Sequence, residues 1–241
     1  MAILTVIKSY DAINPVPGTY PSIEAALLDA SPGDTIILGP NYSDEEVIIT
    51  KSDISISGTT SSLGIMLIIA DGSSGLVFTG NASIEVKGSN GDDIITGNDG
   101  DNVITLTGGV DIVDGGLGDY RLVVDYSASA AVVTATNATI VGGPGTVAIT
   151  GIEHYTMLTG AGDDILTLTT AHGDNYIDAG EGANTIVVRN GTNTIITGSG
   201  IDTISAGDGD NYIDLGVGTI GANTIAVWSG NNTIHGSLGI S

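Results

Sequence analysis

Aliphatic residues recur along much of this chain at a fixed step of nine. Ile95, Ile104, Val113 and Leu122 each close the same kind of phrase, the first being Gly88-Ser-Asn-Gly-Asp-Asp-Ile-Ile-Thr96. A second array is anchored at Leu166, Ile177, Ile186, Ile195, Ile204, Ile213, Ile225 and Ile234, mostly at steps of nine, with two or three extra residues before Ile177 and Ile225. A glycine stands four residues before each anchor: Gly162, Gly173, Gly182, Gly191, Gly200, Gly209, Gly221 and Gly230. A single inward aliphatic residue between outward neighbours is the pattern of a short strand with one buried face. The six residues before each strand are rich in Gly, Asn and Asp, which favour turns. The pattern predicts coils of two phrases each, with phrases i and i+2 stacked about 4.8 Å apart.

The remaining stretches carry different patterns. Residues 20–30 read as one short helix, with Ser22 as N-cap and Glu24 in its first turn, stopped by Pro32-Gly33. Strand signals follow at Thr35–Leu38, Glu46–Ile49, Ile54–Ile56, Met66–Ile69, Leu76–Thr79 and Ile84–Val86, separated by Gly, Asn, Asp or Ser. Residues 124–150 break the period with Ala/Thr/Val-rich strands around Gly142-Gly-Pro-Gly145. Four segments result: 1–87, a capped β-helix; 88–123, a first nonapeptide block; 124–158, a non-repeat β insertion; and 159–241, a second block, all in one continuous solenoid. The array reaches Ser241 without a capping helix, which suggests a truncated chain or cover from another copy.

The phrases resemble the calcium-binding RTX repeat G-G-x-G-x-D-x-U-x, where U is aliphatic. Val124-Asp125-Tyr126-Ser127 resembles the phrase that ends one such array, and Gly151-Ile152-Glu153 the phrase that introduces the next. The opening resembles pectin-lyase-like β-helices, in which a short helix caps the first coil; Tyr20, Ser22-Ile23, Ala25-Ala26, Ala30 and Pro32–Ile36 carry that likeness. Together these imply an all-β chain: a right-handed parallel β-helix or β-roll solenoid with one N-terminal capping helix.

The RTX resemblance implies Ca²⁺ between stacked turns, held by backbone carbonyls and the sixth-position aspartate, as a hard cation requires. Sorted by coil edge, position six reads Asp93 and Asp111 on one side and Asn102 and Tyr120 on the other. In the second block it reads Asp164, Asn184, Asp202 and Asn223, against Asn175, Asn193, Asn211 and Asn232. Asp93 and Asp111 lead the candidate ligands, with Asp92, Asp99, Asp101 and Asp119 beside them; Asp164 and Asp202 follow, each stacked against Asn. Stacked Asn amides read instead as an internal hydrogen-bonded ladder.

Composition narrows the functions. Five Lys+Arg stand against 28 Asp+Glu, a formal charge of −23. Such a chain repels nucleic acid and anionic membranes. With no cysteine, disulfides and thiolate metal sites are excluded. No stretch is long enough to span a bilayer, and the first ten residues lack the features of a signal peptide. The RTX resemblance implies a calcium-binding, non-enzymatic scaffold, secreted or on the cell surface by type I export, as an adhesin, S-layer-like or toxin-associated module.

Two alternatives stay open. A lyase or epimerase acting on acidic glycans would need cationic groups from Lys8, Lys51, Lys87, Arg121, Arg189, His154, His172 and His235, which do not cluster in sequence. A flat face binding ice or glycan would use stacked Thr185, Thr203 and Thr224, or the row Tyr176, Thr194, Tyr212 and Thr233. A partner glycan, or a second copy stacked on the C-terminal coil, is the corresponding expectation.

Overall fold

The computed structural model describes residues 1–7, 16–40, 42, 46–58, 65–169, 173–216 and 222–236. Lys8, His172 and Gly221 lie outside the described residues. The chain divides into two compact units, Met1–Tyr120 and Arg121–Ser241. The division falls inside the first nonapeptide block.

The first unit holds β1 (Ile3–Val6), β2 (Thr19–Tyr20), α1 (Ile23–Asp29), β3 (Thr35–Leu38), β4 (Glu46–Ile49), β5 (Ser55–Gly58), β6 (Ile65–Ile69), β7 (Leu76–Gly80), β8 (Ile84–Lys87), β9 (Ile94–Thr96), β10 (Val103–Leu106) and β11 (Gly109–Asp114). Its strands are dealt alternately into two parallel sheets, β2-β1-β3-β5-β7-β9-β11 and β10-β8-β6-β4. The helix is shorter than the sequence pattern suggests. The Ser22 hydroxyl accepts from Ala25 N at 3.1 Å, and Ile23, Ala26 and Leu27 are its buried face.

The second unit holds β12 (Arg121–Asp125), β13 (Thr134–Thr136), β14 (Thr139–Gly142), β15 (Gly145–Thr150), β16 (His154–Leu158), β17 (Ile165–Leu168), β18 (Tyr176–Asp178), β19 (Thr185–Val188), β20 (Thr194–Ile196), β21 (Thr203–Ala206), β22 (Tyr212–Asp214), β23 (Thr224–Val227) and β24 (Thr233–His235). Again two sheets form, β15-β14-β13-β17-β19-β21-β23 and β24-β22-β20-β18-β16-β12. The insertion supplies the departure from parallel pairing: β13, β14 and β15 run antiparallel, with a tight turn at Gly142–Gly145. From β17 onward all pairing is parallel. The fold is an all-β parallel solenoid with a single short helix among the described residues.

The nine-residue step sets the register. Ile95 pairs with Val113, Ile186 with Ile204, and Ile195 with Ile213, each pair two steps apart, while Leu166 pairs with Ile186 across two extra residues. Each of these anchors is buried, so the core is a stack of aliphatic rungs. Ile225 is only half-buried and Ile234 exposed, because no described coil lies beyond them.

Candidate functional site

The turns that precede the strands concentrate the chain's polar chemistry. Every described sixth-position residue from Asp93 to Asn211 is buried, whether Asp, Asn or Tyr. The reason is the pleat: positions six and eight point the same way, so the polar residue follows its aliphatic anchor into the coil. Once inside, the side chain meets backbone donors. Asp111 Oδ1 accepts the N–H of Asp93 at 3.0 Å, Asp164 Oδ1 that of Val133 at 2.7 Å, and Asp202 Oδ1 that of Asn184 at 3.0 Å. Asparagines alternate in the same column: Asn184 Oδ1 accepts from Asp164 N at 2.9 Å and Asn223 Oδ1 from Asp202 N at 2.7 Å. Each coil thus satisfies the amide of the coil before it.

The second carboxylate oxygen separates these aspartates. Oδ2 of Asp111, of Asp164 and of Asp202 is buried without a hydrogen-bond partner. A buried carboxylate oxygen with no donor carries a desolvation cost of several kcal/mol. Burial accordingly pushes the Asp111 carboxyl up to about 6, helped by the charges of Asp93 and Asp92 and opposed by the Asp93 N–H. Burial also raises Asp164, against the neighbouring Thr159 hydroxyl and the Val133 N–H. Asp93 differs. Its Oδ2 accepts from Ser89 N at 2.8 Å, and the Ser89 hydroxyl lies 3.3 Å from both carboxyl oxygens, so its own turn closes it. Burial still raises its pKa, with Ser89 opposing.

The other acidic candidates stand on the outside of the turns. Asp92 Oδ1 accepts from Val110 N at 2.9 Å and Asp101 Oδ1 from Asp119 N at 3.1 Å; Asp99 and Asp119 are exposed as well. The same outer ladder continues through Asp163 to Ala183 N at 2.8 Å and Asp210 to Asn231 N at 2.7 Å. A further row at position three runs from Asn190 to Asp208 N and from Asp208 to Ser229 N. The exposed carboxylates therefore stitch successive turns together, a role that the sequence reading of Asp92 and Asp101 as calcium ligands did not include.

At Tyr120 the phenol fills the turn above it. Its hydroxyl donates to Asn98 O at 3.0 Å and accepts from Asn102 Nδ2 at 2.5 Å. Among the described residues no three His, Asp or Glu side chains converge as a metal cluster. A cation here would be held by one unpaired aspartate oxygen together with turn carbonyls, an all-oxygen set that suits a hard divalent ion. The carbonyls two and four residues before Asp202 belong to Gly200 and Gly198; those before Asp164 belong to Gly162 and Gly160; those before Asp111 belong to Gly109 and Thr107.

Thr185, Thr203 and Thr224 pair in one row, and Tyr176, Thr194, Tyr212 and Thr233 in another. Tyr176 and Tyr212 are partly exposed, and the Tyr212 ring lies 5.2 Å from that of His235. Of the basic groups, the fold gathers Arg121 and His154, each 3.3 Å from the carbonyl of Asp174.

No curated protein and no solved structure matches the chain significantly. A family model for the RTX calcium-binding nonapeptide repeat, in four copies, matches residues 87–122, 187–219 and 214–240. These segments include the turns of Asp111 and Asp202, two of the three with an unpaired inward oxygen. The chain carries RTX calcium-binding nonapeptide repeats, wound into a parallel β-solenoid, and Ca²⁺ is the cation that such repeats bind.

Proposed function

We propose that this chain is a calcium-stabilised module of a secreted or cell-surface protein, and that the turns of Asp111, Asp164 and Asp202 hold the ions. The observation that carries the reading is the buried, partnerless Oδ2 in each of these turns. A divalent cation supplies the missing partner and cancels the carboxylate charge in one step. Metal binding then adds directly to folding, because the unfolded chain has no such turn. The location follows from the same requirement: calcium is abundant outside cells, and a chain of charge −23 stacks its turns best where divalent cations are plentiful. The role is that of a scaffold, such as an adhesin, surface-layer or toxin-associated segment.

Calorimetry with calcium titrated into chelator-treated protein tests this. Saturation to about a hundred times Kd should add about 2.7 kcal/mol for each site, visible as a rising Tm. Asp111→Ala and Asp202→Ala should each reduce that rise more than Asp119→Ala, which alters an exposed turn. Melting that is the same in excess calcium and excess chelator would overturn the reading.

A further inference from the structure

Position six carries a nitrogen where it is Asn and an oxygen where it is Asp. Asn193 Nδ2 donates to Arg189 O at 3.1 Å, to Gly191 O at 3.2 Å and to Asn211 Oδ1 at 2.9 Å. Asn211 Nδ2 repeats the arrangement with Gly207 O at 3.0 Å, Gly209 O at 3.1 Å and Asn232 Oδ1 at 2.9 Å. Asn175 Nδ2 reaches Gly173 O at 3.0 Å and Asn193 Oδ1 at 2.8 Å. Asn184, standing between two aspartates, makes longer contacts of 3.4, 3.4 and 3.3 Å to the carbonyls of Gly180, Glu181 and Gly182. In each turn the amide hydrogens point at carbonyls of the turn itself, two to four residues back. An ionised carboxylate has no hydrogen to offer there, and Asp111, Asp164 and Asp202 each leave that oxygen unpartnered.

We propose that a turn takes calcium where its sixth residue leaves an inward oxygen unpartnered, and that the asparagine turns are closed by their own carboxamide and take none. The Nδ2 hydrogens stand where the cation would stand and engage the same kind of oxygen. This rests on the calcium reading above and narrows it. The family model covers the turns of Asn193, Asn211 and Asn232, yet these are metal-free. Asp164 lies outside the matched segments and is metal-requiring. One edge of the second unit is therefore a neutral amide spine that persists when calcium is low. The other edge, with Asp164 and Asp202, is completed by the ion.

The test is nuclear magnetic resonance of the full chain, calcium-free and calcium-saturated. The Nδ2 protons of Asn193 and Asn211 should exchange at least tenfold more slowly than those of exposed Asn231 in both states. Calcium-induced shifts of backbone amides should concentrate in the turns of Asp111, Asp164 and Asp202. Shifts at the Asn193 and Asn211 turns as large as those at Asp202, or rapid exchange of their Nδ2 protons, overturn the proposal. Absence of calcium shifts at every turn instead refutes the calcium reading, and with it the contrast between turns. Two variants test the same point from opposite sides. Asn193→Asp should lower Tm in chelator, recover it in calcium and bind one more ion. Asp202→Asn should raise Tm in chelator and bind one ion fewer. Unchanged stoichiometry in both variants sinks the proposal.

Discussion

At Asp111 one buried, unpartnered oxygen couples the protonation of the carboxyl to the fold. Its folded pKa of about 6 lies above the unfolded value near 4. The folded, calcium-free protein therefore holds this proton more tightly than the unfolded chain. The resulting stabilisation is complete below about pH 4 and is lost as pH rises through 6, a change on the order of 3 kcal/mol. Asp111→Asn never ionises and keeps the shape. In calcium-free buffer the wild type should lose stability relative to this variant between pH 4 and pH 7.5, read by urea unfolding at each pH. A difference that stays constant with pH would show that the carboxyl is solvated. Residue identity at this scale was only partly legible in the sequence. The alternation of edges correctly grouped the sixth-position aspartates. It does not distinguish Asp93 from Asp111, because the pattern does not show that the Ser89 hydroxyl and N–H turn inward to Asp93.

The element that repeats is the turn plus its strand, and its glycine is the least replaceable part. Gly200 has φ +151°, and a Cβ there would lie 1.8 Å from the carbonyl oxygen of Gly182 in the preceding coil. Gly209 repeats the situation beneath Gly191, at 2.2 Å and φ +130°. Gly200→Ala combines backbone strain with a clash between coils, a cost of about 3 kcal/mol. Gly236→Ala, with nothing within 4 Å of its Cβ, should melt like the parent; equal Tm values for the two variants would contradict this stacking. The nonapeptide strands and their register were legible from the recurring aliphatic anchors, since Ile186, Ile204 and Ile225 could pair in only one way without turning the core outward. The antiparallel β13–β14–β15 segment was not. Its Thr and Val residues signal strands, but pairing direction there is set by the Gly142–Gly145 turn and by β13 joining β17 in parallel.

Across the whole molecule, 28 acidic residues stand against five basic ones, a formal charge of −23. The outer carboxylates Asp101 and Asp119 occupy the same position of two stacked turns, with about 5 Å between rungs. A pair at that spacing repels by roughly 1 kcal/mol in water. Monovalent salt shortens the Debye length from about 10 Å at 0.1 M to about 3 Å at 1 M. The calcium-free protein should accordingly gain a few degrees in Tm across that range, and the calcium-loaded protein less. Equal salt dependence in both forms would mean that bound calcium does not relieve this repulsion. Net charge was plain in the sequence; that Asp92, Asp101, Asp163, Asp174, Asp208 and Asp210 also accept turn amides was not, because it depends on which turn is stacked against each.

The inner ladder also gives the solenoid a direction. In it the backbone N–H of one coil is met by a side-chain oxygen from the following coil, as Asn184 is met by Asp202 and Asn193 by Asn211. A break between coils would leave the inner row with amide hydrogens on one face and side-chain oxygens on the other, while the outer row, in which Asp92 accepts from Val110 of the following coil, runs the opposite way. Two like edges of the inner row cannot satisfy each other. Stacking of severed coils through this ladder is head to tail, the heterologous geometry that extends into a filament, and a two-fold symmetric joint through it is ruled out.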